Sequence, residues 1–205
     1  LDSIPRASSV SAVNMTMGSA GTISINRASS AFTHTLTYSF GNTNGTIATK
    51  TTASSVSWTP ALSLASQIPN AISGTCTITC TTYNGNTNIG SKTCTLTLSI
   101  SASVKPTISS LTASRIDGEV PSTWGIYVQT KSKVKLTING AAGSYGSTIK
   151  SYSITGGGYS GSASTLTTGF LNNSGTITFK ATVTDSRGRV SAEASVSITV
   201  TAYSP

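Results

Sequence analysis

The feature that most constrains this chain is that it repeats itself. With Pro5 set on Pro106, "PRASSVSAV" lies over "PTISSLTAS", and Val10 falls on Leu111 at an offset of 101. The same offset sets Gly74 on Gly175 and "GTCTITCTTYNG" on "GTITFKATVTDS", so Cys76, Ile78, Cys80 and Thr82 match Ile177, Phe179, Ala181 and Val183. Between these anchors Tyr38 in "TYSFG" aligns best with Tyr152 in "SYSITG", at an offset of 114. The second copy therefore gains about thirteen residues around "RIDGEVPSTWGIY" and loses them before its last hairpin. Self-similarity at a fixed long period marks tandem modules, here expected at 1–102 and 103–205.

Each copy alternates. In "KVKLTI", Val134, Leu136 and Ile138 point one way and Lys133, Lys135 and Thr137 the other; "TITFKATV" and "TCTLTLSI" follow suit. A period of two is the pattern of a strand with one wet face. Ser and Thr make up about a third of the chain, and β-branched Thr suits such a face. Clusters such as "GNTNG", "NGNTNIG" and "DSRGR" supply turns. Several short strands per hundred residues give an all-β fold of two tandem immunoglobulin-like antiparallel β-sandwiches. Only "PALSLASQIPN" (60–70) reads as helical, for a turn or two.

Charge and composition exclude several classes. The net charge is +8, from thirteen Lys/Arg against five Asp/Glu, but the cations are thinly spread rather than interleaved with aromatics. That excludes a nucleic-acid surface. No run approaches the ~18 apolar residues of a membrane span. The opening "LDSIPRASSV" has neither a basic flank nor an apolar run, and reads as an inter-domain lead-in of a longer polypeptide.

Catalytic and metal chemistry finds few residues. His34 is the single histidine and shares a strand face with Phe32, Leu36 and Tyr38, as a core-edge residue would. A Ser-His-Asp triad would need Asp2, Asp117 or Asp185 to converge on it, and no G-x-S-x-G elbow is present. Asp117 and Glu119 form the one close carboxylate pair, but "IDGEV" reads as a hairpin tip, where Asp-Gly signals a turn. The acidic clusters of calcium loops and the Cys/His sets of zinc sites are missing, so neither metal nor cofactor is expected.

The cysteines sit on one expected hairpin. Cys76 and Cys80 are ~13 Å apart along a strand and cannot bridge. Cys80 and Cys94 are symmetric about Thr87 and are the one candidate disulfide; the other reading is three free thiols acting as small buried hydrophobes in a reducing cell.

Surface candidates fall in module two, which carries nine of the thirteen basic residues. Lys131, Lys133 and Lys135 form an outer-face stripe. It either meets an anionic polymer such as teichoic acid or guards a sheet edge against pairing. Trp124 and Tyr127, with Tyr145 and Tyr159 in glycine-rich loops, make either a sugar-stacking platform or a cover for the open end of the sandwich. Trp58 shares the phase of Val56 and reads as core.

Longer phrases add a resemblance. "LDSIPRASS", "FTHTLTYSFG", "GTIATKT", "QIPNAISGTCTITCTTYNG" and "GSKT", with "YGSTIKSYSITGGGYSG" and "SGTITFKATVTDSRGRVSAEASV" in the second copy, resemble tail-region minor structural proteins of siphophages and prophages of Gram-positive bacteria. The resemblance covers nearly the whole chain. It implies immunoglobulin-like modules strung along a longer virion protein, assembled in the bacterial cytoplasm, exposed near the tail and concerned with host attachment. The implied partners are other tail proteins and host cell-wall polysaccharide or teichoic acid. It implies no catalytic residue. A bacterial surface adhesin or carbohydrate-binding module is the competing class, distinguished by a signal peptide and wall anchor in its gene.

Overall fold

The computed structural model describes residues 6–205; the lead-in at 1–5, with Asp2 and the Pro5 anchor, lies outside the described residues. The chain divides into two compact units between Ala102 and Ser103.

Unit one holds β1 (Ser9–Ala12), β2 (Met15–Thr16), β3 (Gly21–Asn26), β4 (Thr33–Phe40), β5 (Thr43–Thr51), β6 (Ser55–Trp58), β7 (Ser73–Asn84) and β8 (Thr87–Ser99). They form a three-stranded sheet, β1-β3-β6, and a five-stranded sheet, β2-β8-β7-β4-β5. Residues Leu62–Gln67 make the short helical piece, a 3-10 turn that buries Leu64 and Ala65. Unit two holds β9 (Ser110–Ile116), β10 (Tyr127–Val128), β11 (Lys133–Asn139), β12 (Ile149–Gly156), β13 (Tyr159–Gly161), β14 (Thr165–Thr167), β15 (Gly175–Asp185) and β16 (Ala194–Thr201). Its sheets, β9-β11-β14 and β10-β16-β15-β12-β13, repeat the topology strand for strand. Even the sheet switch is repeated: β2 and β10 leave the small sheet and pair in parallel with the last strand of the other.

The repeated phrase lies at the heart of both sandwiches. Cys76, Ile78, Cys80 and Thr82 on β7 and their counterparts Ile177, Phe179, Ala181 and Val183 on β15 are all buried. Truncating Ile78, Ile177 or Phe179 to Ala leaves cavities costing about 2–5 kcal/mol each. The middle of the repeat aligns differently from the expectation. Leu36 stands opposite Cys80 and Ile154 opposite Ala181, which makes the offset there 118 and sets His34, not Tyr38, in the place of Tyr152. Tyr38 corresponds to Gly156, whose Cβ would run into Thr178 O and Phe179. Trp58 is half-buried rather than core, and it packs on Tyr38 with ring centroids 5.0 Å apart.

Two buried polar clusters hold chain segments to these frameworks. In unit one His34 is wholly buried, deeper than a core-edge position. The Ala28 N–H donates to Ser8 Oγ at 3.0 Å, and the Ser8 N–H donates to Thr82 Oγ1 at 2.9 Å. Ser8 Oγ is also hydrogen-bonded to His34 Nε2, at 2.7 Å. Nδ1 has no hydrogen-bond partner among the described residues.

In unit two the buried Asp185 carboxylate accepts the Arg187 and Arg189 N–H groups, both at 2.9 Å. The Arg187 guanidinium donates to the carbonyls of Ser144 at 2.7 Å and Tyr145 at 2.9 Å. Arg189 donates to Val104 O at 3.1 Å. This staple joins the β11–β12 loop, the β15–β16 loop and the entering chain.

Burial, and next the Arg27 charge, hold the His34 pKa below 6.5. The folded state therefore keeps His34 neutral where the unfolded chain takes up a proton, so stability is full above about pH 6.5 and falls as pH drops below it. We expect the single histidine's NMR shifts to titrate below 6.5, and the unfolding temperature of unit one to drop as pH falls below about 6.5. A ring titrating at or above 6.5 would contradict the burial. Asp185→Ala should cost unit two about 2–4 kcal/mol in denaturant unfolding, because two N–H groups lose their acceptor and Arg187 its counter-charge.

Candidate functional site

The connection from β9 to β11, residues 117–132, has a much shorter counterpart in unit one. It opens with the Asp117-Gly118 turn, where Gly118 has φ +62° and Val120 N–H donates to Asp117 O at 3.0 Å. That turn begins a long connection rather than forming a hairpin tip, since Ile116 pairs with Lys133 across the whole loop. Asp117 pairs with Arg115 at 2.7 Å and Glu119 with Lys131 at 2.9 Å, so the two carboxylates serve separate ion pairs. A single 3-10 turn, Ser122–Trp124, follows and ends at Gly125 in the left-handed region.

The chain then returns to the sheet. Val128 N–H donates to the buried Ser132 Oγ at 2.9 Å, and Lys131 N–H to Val128 O at 3.0 Å. Thr130, between them, has φ +63°, an uncommon conformation for a β-branched residue, and donates its N–H to Leu171 O at 2.7 Å. These bonds fix Lys131 at the rim of a cleft of about 250 Å³. Val120, Pro121 and Val128 form its apolar wall, and Trp124, Tyr203, Glu119 and Lys131 complete it. Trp124 is 60% exposed. Lys131 Nζ also sits 4.9 Å from the Tyr203 ring centroid. Its pKa is raised, first by the hydrogen bond to Glu119 and then by that carboxylate's charge.

The other candidates scatter. Tyr127 lies in β10, half-buried against the core, and burial raises its pKa. Tyr159 is also half-buried; its hydroxyl accepts the Asn172 N–H at 3.1 Å and donates to Phe170 O at 3.3 Å. Tyr145 lies in the β11–β12 loop, and because β11 runs from the Trp124 loop to that loop, Tyr145 is at the opposite end of the sandwich. The four aromatics therefore do not form one platform.

Nor do the lysines form one free stripe. Lys131 precedes β11 and is paired with Glu119, Lys133 lies 4.8 Å over the Phe170 ring, and Lys135 is exposed on the strand. β11 is the central strand of its sheet, so the edge-guard reading fails as well. What the sequence did not show is the meeting of Glu119, Lys131 and Tyr203. Glu119 and Lys131 are twelve residues apart on an irregular loop, and Tyr203 arrives from beyond the last strand.

The cysteines are all free. Cys80 stands opposite Lys92, and Cys94 opposite Ile78, so Cys80 and Cys94 are diagonal neighbours rather than partners across the ladder. Such diagonals lie ~7–8 Å apart, beyond disulfide reach without backbone movement. The cause is the turn, which is centred between Gly85 and Asn86 rather than on Thr87, with a bulge at Thr82/Tyr83. Asp117 and Asp185 belong to the other unit from His34, and no group of three or more His, Cys, Asp or Glu capable of holding a metal occurs among the described residues. No helix among them is long and apolar enough to cross a membrane.

Each unit is thus a β-sandwich of the immunoglobulin class, built from a three-stranded and a five-stranded sheet with a switch strand between them. The chain belongs to the siphovirus protein family of unknown function DUF859, whose model matches residues 1–205. No curated protein matches the sequence. Among solved structures, the fibronectin(III)-like modules of Clostridium thermocellum CbhA share 16% identity at a TM-score of 0.39, covering 95% of each chain. The chicken interferon gamma receptor alpha chain shares 11% at 0.38, covering 97% of this chain and 99% of its own. Chicken CNTN1 domains FN1–FN3 share 8% at 0.35, covering 96% of this chain and 67% of theirs. These likenesses are loose, and the fold assignment stands on the sheet topology itself.

Burial pushes the Cys76 and Cys80 thiols up to about 11, and it also raises Cys94, which is only half-buried. Thiolate is the reactive form. At neutral pH a disulfide reagent should therefore label Cys94 first and slowly, and all three only after denaturation; rapid native labelling of Cys76 would contradict the register.

Proposed function

We propose that this chain is a non-enzymatic structural module of a siphovirus virion, acting as spacer and display element in the tail and touching host cell-wall polymer through unit two. Its partners are then the neighbouring tail proteins and wall polysaccharide. The observation that carries the reading is Trp124: an indole 60% exposed, on a loop that only the second copy enlarges, in a chain of a siphovirus family. Large aromatics left open beside a concave surface are typical of recognition sites.

The groups best suited to chemistry are buried or already paired. Ser8 and His34 make the hydrogen bond a nucleophile and base would make, but both are buried, and Nδ1 lacks the acidic orienter among the described residues. Glu119 and Asp117 are tied to different cations. Both facts support a binding rather than a catalytic role.

The test is retention of the chain on purified walls of Gram-positive bacteria, with the phage's own host included. Trp124→Ala should lower retention about 2–10-fold, the loss of one aromatic stacking contact. Because Lys131 is already paired with Glu119 and Lys133 lies over Phe170, raising salt from about 50 to 500 mM should change retention little. No retention on host walls would remove the contact role and leave the spacer role. Strong salt dependence with no effect of Trp124→Ala would move the contact from the indole to the cationic surface.

A further inference from the structure

We propose that the cleft beside Trp124 is a subsite for one neutral N-acetylated hexosamine ring. This rests on the wall-contact reading and specifies the unit that is gripped. A pyranose presents an apolar C–H face, which suits an indole, and a polar rim, which needs charged or hydroxylic partners. The cleft offers both within about 250 Å³. That is below the ~300–1,000 Å³ of pockets for drug-sized ligands, so it holds a single ring.

The chemistry of the walls selects the substituent. Val120 and Val128 are buried apolar side chains with no polar group to offer a hydroxyl, and they suit the methyl of an acetamide. The Glu119 carboxylate uses Oε2 on Lys131, which leaves Oε1 to accept the acetamide N–H. The Lys131 ammonium spends one donor on Glu119 and has others for the acetamide carbonyl or a ring hydroxyl. Because the two charges cancel, the cleft gives little net attraction to a phosphate polymer. A second cleft, of about 240 Å³ between residues 103–108 and 192–194, contains Lys105 and Glu193 but no aromatic ring on which a sugar could stack.

Thr130 adds a detail of design. Its positive φ sets the direction in which Lys131 leaves the backbone, and strain of this kind persists where the surroundings over-determine it.

The probe is free N-acetylglucosamine, with glucose and glucosamine as comparisons. The chain has two tryptophans, so Trp58→Phe leaves Trp124 as the sole indole reporter. Saturation-transfer NMR on the unaltered chain gives a second readout that does not depend on that variant folding. Expected are a saturable change in Trp124 fluorescence, strong transfer to the acetyl methyl, and affinity at least about tenfold weaker for glucose, which lacks the acetamide, and for cationic glucosamine. Trp124→Ala should abolish the transfer, and Glu119→Gln should weaken it while preserving the fold.

Equal responses to glucose and N-acetylglucosamine would overturn the assignment, as would no response to any sugar at tens of millimolar. If wall retention depends on Trp124 while no sugar responds, the subsite is wrong and wall contact stands. If the acetylated sugar binds but walls do not retain the chain, the subsite stands and wall contact fails.

Discussion

Both units hang on one strand. The inner face of β7 and of β15 is wholly buried along four alternate positions, and each strand is hydrogen-bonded on both sides. A slip of one residue would turn every one of those side chains to water, so register is specified here more strongly than anywhere else. The neighbours β4 and β8, or β12 and β16, inherit their register from it. That explains why the self-similarity is cleanest in "GTCTITCTTYNG" and "GTITFKATVTDS". Length differences between the copies are pushed into loops, where an added residue costs little. The largest of them is the β9–β11 connection, the one that carries Trp124. Length variation collects there because a loop can lengthen without disturbing the core.

Much of this was legible from residues alone. The tandem copies, the all-β character and the short helical piece at Leu62–Gln67 follow from period, turn residues and composition. What failed was finer register. The three cysteines are free, but Cys80 and Cys94 do not face each other, because a bulge and a two-residue turn shift the ladder and neither leaves a mark on the alternation of side chains. Like residues align Tyr38 with Tyr152, whereas the register sets His34 on Tyr152 and Tyr38 on Gly156, where a Cβ would meet Phe179. Lys131 shares the phase of Lys133 and Lys135, yet Thr130 turns the backbone left-handed and takes Lys131 off the strand. Of the candidate site, the residue types were readable: Trp124 stood out as the large aromatic of an irregular loop. Its companions Glu119 and Tyr203 were not, because the cleft is assembled by tertiary folding from segments that no local pattern joins.

The two polar clusters show why reactive residues need not mean reaction. His34 with Ser8, and Asp185 with its arginines, are the most chemically suggestive groups in their units. Each is spent on backbone: Ser8 anchors the start of β1 against Thr82 and Ala28, and Asp185 closes a loop on itself. Buried hydrogen-bonded groups specify geometry at sites where an apolar core could slide. The cysteines are similar, small inner-face residues whose thiols burial keeps protonated. The Trp124 cleft differs in kind, because its indole is held open to water by a structured loop.

The most direct test of the account is hydrogen–deuterium exchange of the whole chain with and without host cell walls or soluble wall fragments. Exchange resolves opening segment by segment. The account predicts new protection confined to peptides spanning residues 117–131 and the segment around Tyr203, with β7 and β15 protected equally in both states. Protection appearing instead in unit one, or at the Tyr145 and Arg187 loops, would contradict it.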